Sequence, residues 1–166
     1  MELKKAIDKV LASILVVILG AMTITVLWQV ASRYLVQAPS PWTDETVRFL
    51  FMWVGLLGAA YVTGLRMHLA IDILPSKLSP TGKKKLNTLI YILVAIFAFL
   101  TMVIGGVRLV YITLTLNQIA PTLQIPLGYV YTVVPISGIF IIYYSITNII
   151  YFDQSTFEED EVAKNA

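Results

Sequence analysis

Two short clusters of ionisable residues are the places where this sequence could do chemistry. The first, Trp42-Thr43-Asp44-Glu45-Thr46-Val47-Arg48, holds two acids and a base at helical spacing. Glu45 lies three and Asp44 four residues before Arg48, so on a helix the base can pair with either acid as the chain enters an apolar medium. Such a pair neutralises a helix end, with Trp42 as an interfacial anchor, and it also offers a polar contact to another subunit. The second cluster, Arg66-Met67-His68-Leu69-Ala70-Ile71-Asp72, places His68 four residues before Asp72. A carboxylate there could orient or protonate the imidazole. A proton relay would need further ionisable groups along its path, and the neighbouring apolar stretches supply none. The expected role is local, tying a loop to helix ends or to lipid headgroups.

Other chemistry is excluded by what the chain lacks. It has no Cys and one His, so a thiolate metal site, a haem with His ligands or a zinc centre has no ligand set. No nucleophile elbow, phosphate-cradling glycine loop or Ser, His and Asp set is present, and no enzyme activity is expected. The net charge of +2 is too small to suggest nucleic-acid binding. No cofactor is expected.

The elements that must carry these clusters follow from composition. Of 166 residues, 58% are apolar and 13% charged, more apolar surface than a soluble domain of this size can bury. The apolar residues come in unbroken runs, which predicts transmembrane helices. Residues 10–32 carry no formal charge, and 23 residues suffice to cross a hydrocarbon core of roughly 30 Å. The run is longer than a signal-peptide core and no small-residue cleavage site follows, so no cleaved leader is expected. Ser40 reads as an N-cap and Pro41 as the first residue of a second helix, with Asp44 and Glu45 in its first turn. Its uncharged stretch, 49–65, is only 17 residues, which puts the flanking charges near the bilayer surfaces. Ser79-Pro80 opens a third span, uncharged from 86 to 107, and Arg108 is expected to snorkel at its far end. The 44 uncharged residues of 109–152 are too many for one crossing and are divided by Pro121 and Pro126, with Pro135 tolerated as a kink.

The expected fold class is therefore all-α, an integral membrane protein with four transmembrane helices. The four-helix domain covers 1–152, with spans of about 10–34, 43–65, 83–108 and 129–152, and an acidic tail, 153–166, expected to be poorly ordered. Lys4, Lys5, Lys9, Arg66, Lys77, Lys83, Lys84, Lys85 and Lys164 fall on one side, and Arg33, Arg48 and Arg108 on the other. The positive-inside rule then puts both termini in the cytoplasm. No inverted repeat with matching broken helices appears, which argues against a self-sufficient transporter. Gly20, Ser32, Gly55, Gly58, Gly105 and Gly106 are the small or polar positions expected to pack against another membrane subunit. The second span, short and charged at both ends, is where fixed contacts are expected.

The order of Arg33-Tyr34, then Trp42 with Glu45, Arg48 and Trp53, Gly58-Ala59, Arg66-Met67-His68 with Asp72, and Ile125-Pro126 followed by Tyr131 and Pro135 resembles the DctQ-like small membrane subunit of tripartite ATP-independent periplasmic (TRAP) transporters. The resemblance runs from span one into span four. Asp44 departs from it, a second glutamate being frequent there, as does Leu127-Gly128, where a tryptophan is common. It implies a bacterial inner-membrane scaffold beside a large membrane subunit that moves an organic anion, of the sialic acid or C4-dicarboxylate class, with sodium. A periplasmic binding protein delivers the anion, and membrane lipids surround the complex. Arg33, Trp42, Glu45, Arg48, Gly58, Arg66, His68, Asp72 and Pro126 are the expected structural or partner-contact residues. A stand-alone small transporter or channel, and a membrane anchor of another complex, are the competing readings.

Overall fold

The computed structural model describes residues 2–35, 37–38, 40–65 and 80–164. The second ionisable cluster, with Arg66, His68 and Asp72, lies outside the described residues, as do Pro39, Lys77 and Ser79.

Helix α1 spans Glu2–Tyr34 and α2 spans Pro41–Gly64. The third span is composite: α3 (Pro80–Phe97) runs into a π segment (Ala98–Ile104) and on into α4 (Gly105–Thr115). After a hairpin comes the short α5 (Leu127–Tyr131), and then α6 (Val133–Lys164). Among the described residues, four stretches are long and apolar enough to cross a membrane: Lys4–Tyr34, Pro41–Gly64, Lys85–Thr115 and Leu127–Ile150. The chain is all-helical among the described residues apart from its loops, as the apolar runs predict. The third helix does not end near Arg108 but continues to Thr115, since no Gly or Pro interrupts it after Gly106. The backbone of α6 likewise runs helical to Lys164, into the tail expected to be poorly ordered. No Gly or Pro occurs after Gly138, and Glu, Ala and Lys are good helix formers.

α2 packs between α1 and α6, and α6 between α2 and the third span. α6 is the centre of this arrangement, with 39% of its span buried against 6% for α1. The core joins Leu11, Leu57, Ala60, Ala98, Val133, Ile141 and Tyr144. Close approach depends on glycine at two points along α6. A Cβ on Gly138 would come within 2.7 Å of Met102 Cβ, and one on Gly106 within 2.9 Å of Pro135 Cδ. In lipid, where apolar burial drives no association, such backbone proximity is the main source of helix packing energy.

Candidate functional site

At one end of the molecule, the start of α2 meets the hairpin between α4 and α5. Pro41 takes the first helical position after Ser40, which has extended backbone angles but makes no side-chain cap bond. The hydroxyl of Thr43 donates to the Ser40 carbonyl instead, at 2.6 Å. Arg48 donates to Asp44 at 2.9 Å, with side chains 75% and 64% exposed. A pair so accessible contributes ~1 kcal/mol at most.

Glu45 has a different task. Its Oε2 accepts the backbone N–H groups of Thr122, at 3.0 Å, and Leu123, at 2.7 Å. Loop amides need partners, and two charge-assisted bonds to one carboxylate are among the stronger ones. The hairpin is tied internally as well. Ile119 and Pro126 bridge, Ala120 N–H donates to the Ile125 carbonyl at 2.9 Å, and Leu127 N–H donates to the Gln118 carbonyl at 2.9 Å. Asn117 and Gln124 turn it through left-handed backbone conformations, φ 49° and 55°. Pro126 caps α5, and its carbonyl accepts the Tyr129 N–H at 3.1 Å. Just beyond, the indole of Trp53 donates to the Val130 carbonyl at 3.0 Å, next to the break between α5 and α6. Neighbouring side chains commonly satisfy backbone groups freed at such breaks in membrane helices. The result is an uncharged hairpin, with Leu116, Ile119, Ile125 and Tyr129 exposed, held on α2 by Glu45 and Trp53.

The other expected residues among those described sit near this hairpin or on the outside of α2. Arg33 ends α1 and lines a cleft of about 230 Å³ with Gln29, Ser40, Pro41 and Asp44. Trp42 is 46% exposed at the start of α2. Asp44, Arg48, Phe51, Gly55, Gly58 and Val62, spaced by three and four, share one face of α2. A Cβ on Gly55 or Gly58 would meet nothing within 4 Å, and the same holds for Gly20. Of the other small positions, Ser32 is buried and donates to the Gln29 carbonyl, and Gly106 is used against α6.

At the opposite end lies a polar cluster that spacing did not reveal. The last carbonyls of a helix call for donors from outside its own ladder. Lys4 Nζ donates to the Gly64 carbonyl at 2.9 Å, and Asn148 Nδ2 to that of Thr63 at 2.8 Å. Tyr144 donates to Asp8 at 2.6 Å while its ring closes over Gly64, where a Cβ would stand 2.7 Å from Cε1. These bonds join α1, α2 and α6. The polar residues of span four, read as an apolar stretch, were the available signal: Ser137, Tyr144, Ser145 and Asn148 recur at intervals that place them on the inward side of one helix.

Among the described residues the geometry is a set of fixed joints between helices with an outward face left over. The sequence matches the family model "Tripartite ATP-independent periplasmic transporters, DctQ component" over residues 22–154. This chain belongs to the DctQ family. It is therefore a multi-pass inner-membrane subunit of a TRAP transporter, a small permease protein and not an enzyme. It is similar to a putative TRAP transporter small permease protein of Haemophilus influenzae, 31% identical over 144 residues, covering 87% of this chain and 88% of that one. The sialic acid TRAP transporter small permease protein SiaQ of Vibrio cholerae is 30% identical over 102 residues, 60% of this chain and 59% of the relative. The isethionate TRAP transporter permease protein DctMQ of Oleidesulfovibrio alaskensis is 28% identical over 100 residues, 60% of this chain but 16% of that protein.

Proposed function

We propose that this DctQ subunit is the fixed scaffold of a sodium-coupled importer of an organic anion, seated beside a large permease subunit and docked from outside by a periplasmic binding protein. The observation that carries the scaffold reading is the outward face of α2. Gly55 and Gly58 have open space in front of them, flanked by the Asp44–Arg48 pair, so another protein's helix can approach the backbone there. The DctMQ relative supports a large partner, because the stretch similar to this chain is a minor part of a much longer permease. The chain's own spans carry no acid or base near their middles that would hold a sodium ion or an anion.

The imported compound is an organic anion of the sialic acid or C4-dicarboxylate class. In support, relatives are named for sialic acid, for isethionate and, in Vibrio cholerae, for C4-dicarboxylate. The hairpin held by Glu45 and Trp53, with Arg33, Trp42 and Pro126 around it, is the docking rim for the binding protein. Arg66, His68 and Asp72 tie the inner loop to helix ends or headgroups. Both termini face the cytoplasm by the distribution of Lys and Arg. The test is co-purification: Gly55→Leu with Gly58→Leu should release the large subunit while this chain stays folded. Full retention of the large subunit by that double variant would refute the assigned face.

A further inference from the structure

The end of α1 and the start of α2 share a polar cleft. Between them Ala38 N–H donates to the Ser32 carbonyl at 3.1 Å, and Gln37 turns the chain with φ 54°. Gln29 and Arg33 of α1 are thereby brought to one cleft of about 230 Å³ with Ser40, Pro41 and Asp44. Its polar groups are only partly used. Asp44 accepts Arg48 through Oδ2, which leaves Oδ1 available, and the Ser40 hydroxyl makes no cap bond to α2. Arg33 forms no ion pair among the described residues, although it lines the same cleft as Asp44. A cation and an anion held apart across a small polar space fit a ligand that carries both charges, its anionic end on the guanidinium and its cationic end on the carboxylate.

Place and size narrow that ligand. The candidate spans end at Tyr34 and begin again at Pro41, so the cleft lies where the hydrocarbon core gives way to headgroups. Trp28, Tyr34 and Trp42, all exposed, flank it in sequence, and Trp and Tyr favour this level of a bilayer. The volume is below the roughly 300–1,000 Å³ of pockets that enclose drug-sized solutes. A phospholipid needs to insert only its headgroup, leaving its tails in the hydrocarbon. Among headgroups, phosphoethanolamine joins a phosphate, which suits the guanidinium fork, to a primary ammonium that donates to a carboxylate. A quaternary ammonium has no N–H to donate, and phosphoglycerol carries no cation.

We propose that this cleft binds the headgroup of phosphatidylethanolamine, with Arg33, Ser40 and Gln29 on the phosphate and Asp44 on the ammonium. The site goes beyond the scaffold role and does not depend on which anion is carried. A binding protein docked on the hairpin would meet this headgroup beside Trp42.

The test is photolabelling of the full chain, co-purified with its membrane partner and reconstituted in phosphatidylcholine vesicles. The probe is a phosphatidylethanolamine with a diazirine at the top of one acyl chain, and adducts are mapped by peptide mass spectrometry. Labelling at Tyr34 should exceed that at Tyr111 by about tenfold, although the two are 73% and 69% exposed. Unlabelled phosphatidylethanolamine should remove the excess, and the same amount of phosphatidylglycerol should not. Arg33→Ala should lower labelling at Tyr34 and Trp42 by about tenfold, the loss of one charge-assisted contact, and Arg33→Lys by less. Asp44→Asn should erase the preference for phosphatidylethanolamine over phosphatidylglycerol. Unchanged labelling at Tyr111 reports that a variant is inserted and folded, and lipid competition on the unsubstituted chain decides the matter if a variant is not. Equal labelling of Tyr34 and Tyr111, equal competition by phosphatidylglycerol, or a cleft left unlabelled because another protein fills it overturns the proposal. Displacement of the probe by soluble phosphoethanolamine overturns it too, by making a free solute the ligand.

Discussion

Glu45 holds the amides of Thr122 and Leu123, and removing its carboxylate leaves two loop N–H groups without that acceptor. Glu45→Ala should lower stability by about 1–3 kcal/mol and speed hydrogen exchange in the hairpin, read by thermal unfolding in micelles and by mass spectrometry. Arg48→Ala, which breaks only an exposed pair, should cost under ~1 kcal/mol in the same assay. The glycines divide in a comparable way. Gly64→Ala forces a Cβ into the Tyr144 ring and should destabilise by about 1–3 kcal/mol, whereas Gly20→Ala, with open space in front, should be neutral or slightly stabilising. Parallel melting curves of the two variants check this contrast, and equal effects would contradict the packing described. Spacing along the chain showed that Glu45 and Arg48 share a helix, but it could not show that Glu45 reaches a loop 77 residues away. Nor could it tell which glycines face inward, because that depends on where neighbouring helices lie.

The third span is the element most unlike an ideal helix. Its π segment carries Ala98 and Met102 toward α6 and delivers Gly106 opposite Pro135. π turns of this kind arise where an extra residue is accommodated within an α-helix. Deleting Thr101 should remove that extra residue and restore α-helical bonding with little rotation of α4 relative to α3, so that Gly106 stays opposite Pro135. The deletion variant should therefore keep a melting temperature near that of the parent and run as a single species on size-exclusion chromatography. A much lower melting temperature or a large aggregated fraction would mean that the π segment does not simply absorb one residue. The four spans themselves were legible, because uncharged runs of sufficient length have few alternatives to a membrane helix. The central place of α6 was not. Span two, with charges at both ends, was expected to gather the fixed contacts, and Glu45, Trp53, Thr63 and Gly64 do place most of the long-range hydrogen bonds on it; α6 adds the Asp8 bond and close packing through Tyr144 and Gly138, residues that look unremarkable in an apolar run.

At the scale of the whole molecule, the joints at both ends serve one purpose. Glu45 and Trp53 clamp the hairpin at one end, while Lys4, Asp8, Tyr144 and Asn148 clamp the opposite end, so the helices between have little freedom to rearrange. A body braced in this way suits a partner that moves against it. A reporter fused after Ala166 should be active only when it requires the cytoplasm, and activity outside the cell would reverse the proposed orientation. The measurement that bears most directly on the scaffold is uptake into proteoliposomes. The large permease subunit and the binding protein are reconstituted with and without this chain, and the organic anion is supplied outside under an inward sodium gradient. Rapid uptake with the chain and a loss of at least about tenfold without it are expected, and full-rate uptake by the large subunit and binding protein alone would contradict the account.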